Sequence, residues 1–120
     1  MNEKYKKVAL VAFQGEILCF IHVLLNAIDM HEKKYNVIVI IEGAATKLIK
    51  EFHDNEQAPF RNLYLKVKEL KLIEAVCKAC ATKMGSIKEV EKEGLPIKGD
   101  MSGHPSLSNY IDQGYDIITF

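Results

Sequence analysis

An α/β fold is what the sequence predicts: a three-layer α/β/α sandwich on a mainly parallel five-stranded sheet. Three observations carry this. Val8 to Phe13 (VALVAF) and Val37 to Ile41 (VIVII) are apolar without alternation, as strands covered on both faces are. Between them, Ile17, Phe20, Ile21, Leu24, Leu25 and Ile28 recur at helical spacing, with His22, Asn26 and Asp29 opposite, which makes a βαβ unit. Strand and helix patterns then keep alternating to the end of the chain.

The remaining elements follow in order. Gly43 closes the second strand, and Leu48, Ile49 and Phe52 mark a short second helix. His53 to Ala58 (HDNEQA) reads as a loop, and Pro59 suits the first turn of a third helix carrying Phe60, Leu63, Val67 and Leu70. LYLKV also alternates like a strand, but a strand there would crowd the one expected at Leu72 to Val76. Lys78 to Met84 is helical, with Gly85 as its stop, and SIKE offers a capping box between Ser86 and Glu89 for a helix running to Glu93 and closed by Gly94. Leu95 to Lys98 is at best a short strand, GDMSGHPS a loop, Leu107 to Gln113 a helix, and Tyr115 to Phe120 the final strand. In sheets of this kind ligands bind beyond the carboxyl ends of the strands. Gln14, Gly15, Gly43, Cys77 and the loop around His104 fall there, and Gln14, Gly15, Gly43 and His104 are the candidate pocket residues.

A length of 120 residues suits a single domain, 1–120, that buries its own core without a structural metal. Sixteen basic and sixteen acidic residues balance, which excludes the global field expected of a nucleic-acid or membrane-surface binder. The Lys-rich start EKYKK precedes only a short, interrupted apolar run, so neither a signal peptide nor a membrane span is expected, and a cytoplasmic location is. Cytoplasmic thiols stay reduced, so the three cysteines read as reactive or buried groups rather than as a disulfide framework.

EAVCKACATKMG, residues 74–85, is the most informative stretch. Cys77 falls where a strand ends and a helix begins, where free backbone N–H groups and the helix dipole favour a thiolate, the nucleophilic form. It is the best nucleophile candidate, with Cys80 one turn later able to reach it or line its pocket. The competing reading is that both are small residues packing a helix on a sheet, as cysteines often are. Cys19 falls at the edge of the first helix's packed face. His104 in SGHPS offers proton transfer or anion binding, against the simpler reading of a solvated loop histidine.

A metal site has only weak support and no ligands are assigned to one, because His22, His31, His53 and His104 stand alone and there is no second cysteine pair. A thioredoxin-like centre fits poorly, since its cysteine pair follows an early strand and this one follows the third. FQGE and EGAA lack the phosphate-binding glycine motifs, and KEVEKE is a solvated helix face. No cofactor is called for.

A βαβ start of this length, a third strand ending in Cys77, the helix of CKACATKMG with Gly85 eight residues after that cysteine, and a last strand closing on Phe120 together resemble the DsrE/DsrF-like family, which includes sulfur-relay subunits of tRNA thiolation. The resemblance spans nearly the whole chain. It implies a flavodoxin-like fold, homo-oligomers of trimer or hexamer type, and transfer of sulfane sulfur through a persulfide on Cys77, between sulfur donor and acceptor proteins. Cys80 lies outside the tRNA-thiolation motif. Sulfurtransferase or sulfur carrier is the reading this favours. The alternatives are a non-enzymatic oligomeric small-molecule binding protein and a Cys77/Cys80 thiol-disulfide switch.

Overall fold

The computed structural model describes residues 6–120, so most of the Lys-rich start lies outside the described residues. Five strands form one sheet: β1 (Lys7–Ala12), β2 (Asn36–Ile41), β3 (Ile73–Cys77), β4 (Ile97–Lys98) and β5 (Asp116–Thr119). All are parallel, in the order β4-β3-β2-β1-β5. The helices are α1 (Ile17–Glu32), α2 (Thr46–Asp54), α3 (Arg61–Glu69), α4 (Lys78–Lys83), α5 (Ile87–Lys92) and α6 (Leu107–Asp112), with a 3-10 turn at Gly43–Ala45 before α2.

This order fixes the layers. Right-handed crossovers that step in one direction from β1 to β4 put α1 to α5 on one face; the return to β5, beside β1, sends α6 across the other. The two cores reflect it. Val8, Leu10, Val37, Val39, Ile41, Ile73 and Val76 face the larger layer, where Phe20, Leu24, Leu48, Phe52, Tyr64 and Val90 meet them. Ala9, Val11, Ile40 and Ala75 point the other way and are covered by Tyr110 and Leu107 of α6. Non-alternating strands are what two covered faces require. Within the larger core Phe52 stacks on Tyr64 with ring centroids 4.8 Å apart. Full burial of side chains of this size contributes roughly 1.5–3 kcal/mol each.

Several details differ from the sequence expectation, each for a local reason. α1 buries Phe20, Val23, Leu24, Ala27 and Ile28, while Leu25 is exposed and Ile21 half-buried. The helix is apolar enough in its first three turns to show two overlapping stripes, and the sheet selects one. Cys19, expected at the edge of the packed face, is exposed. His53 and Asp54 belong to α2, where Lys50 reaches Asp54 across one turn at 2.8 Å. Pro59 lies outside α3: Phe60 at its N-cap is left-handed, φ 65°, and the helix starts at Arg61, tied to the end of α2 by Arg61 Nε donating to the Phe52 carbonyl at 2.8 Å.

The capping box at Ser86 and Glu89 does not form. Ser86 is already used by the end of α4: its N–H bonds the Ala81 carbonyl at 2.9 Å and the Gly85 N–H bonds Thr82 at 3.2 Å, the paired bonds of a Schellman motif. Its hydroxyl turns to Ala81 as well, fully buried, so α4 and α5 meet without a free residue between them. That tight turn holds α4 close under the end of β3.

Candidate functional site

The site is built at the carboxyl edge of the sheet, where β2, β3 and β4 end side by side. Val76 and Cys77 of β3 pair with Ile97 and Lys98 of β4, and Ile41 of β2 pairs with Val76. Register therefore brings three chain exits together: Glu42 after β2, Cys77 at the tip of β3, and the loop that follows β4.

Cys77 is both the last residue of β3 and the N-cap of α4, and its sulfur accepts the Cys80 N–H at 3.4 Å. The loop from Gly99 to Pro105 folds back over it. Ala79 N–H bonds the Gly103 carbonyl at 2.8 Å, and Met101 and His104 exchange backbone bonds that close the loop on itself. Gly103 has φ +93°, and a Cβ there would lie 3.0 Å from the Ala79 methyl, so only glycine lets the loop seat this closely. The loop delivers His104, whose Nδ1 is 3.0 Å from Cys77 Sγ and 3.7 Å from Cys80 Sγ. Glu42 closes the group from β2, its Oε1 3.8 Å from the same nitrogen.

Burial dominates the electrostatics of Cys77 and Glu42. Cys77 has no exposed surface, and burial pushes its thiol up to about 12, aided by the neighbouring Cys80 thiol and the Glu42 carboxyl. The Cys80 N–H is the one contact that pulls the other way. The expected helix-stabilised thiolate is thus not the resting form: α4 is a six-residue helix, and one N–H does not outweigh desolvation. Burial also raises the Glu42 carboxyl, against the pull of His104 and a hydrogen bond with Cys77. Proton transfer within the group, rather than a standing thiolate, is the chemistry available to it.

The sequence candidates separate into two sets. Cys77, Cys80 and His104 come together. Gln14, Gly15 and Gly43 do not join them: Gln14 is exposed, and the two glycines serve packing. A Cβ on Gly15 would meet the Lys47 side chain at 2.7 Å, and one on Gly43, at φ +56°, would meet the Phe13 carbonyl at 3.0 Å. Glu42 was missed, although its signal was present: an acid directly at the carboxyl end of an apolar strand, next to a glycine already singled out. Donors far apart in sequence are also gathered here. Glu42, Cys77, Cys80 and His104 offer one donor atom each, all within 4.8 Å of one another.

A separate cavity of about 250 Å³ lies on the α6 side, lined by Glu74, Lys98, Asn109 and Tyr110 among others; Cys77 does not line it. Lys98 and Glu74 pair there at 2.6 Å. No helix among the described residues is long and apolar enough to cross a membrane.

Comparison with known proteins agrees with this architecture. An uncharacterized protein of Methanocaldococcus jannaschii is 36% identical, with 98% of each chain covered. An uncharacterized protein of Archaeoglobus fulgidus is 49% identical over 37 residues, which are 31% of this chain and all of that one. A conserved protein of unknown function from Bacteroides thetaiotaomicron has the same fold, with a TM-score of 0.75 at 14% identity, covering 100% of this chain and 98% of its own. The profile of one family matches residues 7–120, from the first strand to the last. The chain belongs to the DsrE/DsrF-like family.

Proposed function

We propose that the protein carries sulfane sulfur on Cys77. The observation that carries this is the 3.0 Å contact between Cys77 Sγ and His104 Nδ1, which gives a buried thiol a proton acceptor in place. In the first step His104 takes the thiol proton and Cys77 sulfur attacks the outer sulfur of a donor persulfide. The donor S–S bond breaks, a Cys77 S–S bond forms, and the donor leaves as a thiol with the proton from His104. No external oxidant is consumed. An acceptor thiol then takes the outer sulfur, or Cys80 attacks the inner sulfur and releases hydrosulfide, leaving a Cys77–Cys80 disulfide. Glu42 supports the charged imidazolium during the first step, before its proton passes to the leaving donor.

Access requires the Gly99–Pro105 loop to lift, since Cys77 is fully covered in the closed form and Cys80 is only half-buried. Incubation of the reduced protein with a persulfide donor should add one sulfur atom to the peptide containing Cys77, and Cys77→Ser should lose the adduct. His104→Gln should slow its formation. Equal modification of wild type and Cys77→Ser would sink the reading. A second reading, a reversible Cys77–Cys80 disulfide, is favoured by the shared contact of both sulfurs with His104 Nδ1. In that case mild oxidation without a sulfur donor yields the intramolecular disulfide, and two free thiols at residues 77 and 80 after that treatment would rule it out.

A further inference from the structure

Two thiols, an imidazole and a carboxyl converge from three chain segments: the end of β2, the β3–α4 turn and the loop after β4. One thiol–imidazole hydrogen bond accounts for part of this, at 3.0 Å. It does not account for the second sulfur at 3.7 Å from the same nitrogen or for a buried carboxylate oxygen at 3.8 Å from it. We propose that Glu42, Cys77, Cys80 and His104 form a binding site for a borderline-soft divalent cation, specifically Zn²⁺, held tetrahedrally through Oε1, two Sγ and Nδ1.

Dimensions favour the assignment. Zinc bond lengths of about 2.0–2.3 Å in a tetrahedron place neighbouring donor atoms about 3.3 Å apart for two N/O donors and about 3.8 Å apart for two sulfurs. The 3.7 Å sulfur–nitrogen separation falls in that interval, the 3.8 Å oxygen–nitrogen one lies a few tenths of an ångström wide of its own spacing, the 3.0 Å pair opens by about half an ångström, and the widest donors, within 4.8 Å, close by about an ångström on exchanging protons for a metal. The Cys80 N–H already directed at Cys77 Sγ is the kind of outer hydrogen bond that orients a ligating thiolate. Softness also matters: two sulfurs with one imidazole suit zinc and disfavour magnesium or calcium, which take oxygen.

The balance is simple. Zn²⁺ displaces the protons of both thiols, which pass to solvent, with no change of oxidation state. The cation supplies the charge opposite to that of the two thiolates and the carboxylate it gathers. The inference is independent of sulfur transfer, and it adds a consequence: a bound cation occupies the Cys77 sulfur, so metal and persulfide exclude each other.

Co²⁺ is the probe. Titrated into the reduced protein without oxygen, it should give thiolate-to-cobalt charge-transfer absorption and d–d bands of tetrahedral strength, saturating at one equivalent. One equivalent of Zn²⁺ should bleach them, with release of protons. Cys19→Ser, at an exposed position outside the four-donor group, should leave the bands intact. Cys80→Ser should remove about half of the charge-transfer intensity, and His104→Gln and Glu42→Gln should each weaken Zn²⁺ binding at least about tenfold. Absence of the bands in the wild type overturns the proposal, as does their persistence when Cys77 and Cys80 are both serine. Unchanged affinity in both His104→Gln and Glu42→Gln overturns the four-ligand site. Failure here leaves the persulfide experiment untouched, because the adduct on Cys77 needs no metal and is looked for in protein treated with a chelator.

Discussion

Replacing Glu93 by Gln should lower stability by about 2–3 kcal/mol at neutral pH and remove a pH dependence that the wild type shows in acid. Glu93 caps the end of α5, and its carboxylate ties three helices together. His53 Nδ1 of α2 lies 2.6 Å from Oε2, while the Tyr64 hydroxyl and the Lys68 ammonium of α3 donate to Oε1 at 2.6 and 2.9 Å. Burial alone would raise this carboxyl; the three hydrogen bonds and the Lys68 charge outweigh it and hold the group at about 2 instead of 4.5. A difference of that size corresponds to ~3 kcal/mol of stabilisation.

The sign follows from the direction of the shift. A carboxyl depressed in the folded state stabilises fully above its unfolded value of 4.5 and loses that contribution as pH falls toward about 2. By about pH 3 roughly 2 kcal/mol of it is gone. Gln retains one carbonyl acceptor for Tyr64, which places the loss for the variant at the lower part of the range. Urea denaturation of wild type and Glu93→Gln at pH 7 and pH 3 measures it, since the difference between the two proteins cancels the other carboxylates. The gap should shrink to under about 1 kcal/mol at the lower pH. Equal stability at pH 7, or a gap that does not change with pH, refutes the reasoning.

Two further outcomes test the site. Alkylation of the reduced, metal-free protein, followed by peptide mapping, should modify Cys19 first, Cys80 next and Cys77 last, because exposure falls in that order and burial disfavours the Cys77 thiolate; Cys77 reacting first would mean that the loop over it is open at rest. Gly43→Ala should cost about 1–2 kcal/mol in the same denaturation assay, since alanine is strained in the left-handed region and its methyl would meet the Phe13 carbonyl at 3.0 Å; an unchanged midpoint would show that this turn moves freely, and with it Glu42.

Much of the site was legible at the level of position. The unbroken apolar runs, the helical stripe between them and the turn residues after each strand locate the carboxyl edge, and Cys77 and His104 were named from their places on it. What misled was electrostatics. A cysteine at a strand-to-helix turn implies a thiolate when the helix end faces solvent; here the loop from Gly99 to Pro105 covers the sulfur, and desolvation exceeds the help of one N–H. Ser86 failed in a similar way, because its capping role was pre-empted by the end of the preceding helix.

By itself the sequence determined which segments are strands and helices, and hence a parallel sheet with crossovers, because period and burial act along the chain. Which strand lies beside which is decided only in three dimensions. Register sets Glu42 of the β2 exit beside Cys77 of the β3 tip, and the loop after β4 returns His104 to Cys77 from 27 residues away. No local pattern encodes such a meeting. The pair Cys77 and Cys80 was written in the chain, but the four-donor group around it exists only because three neighbouring strands end at the same level.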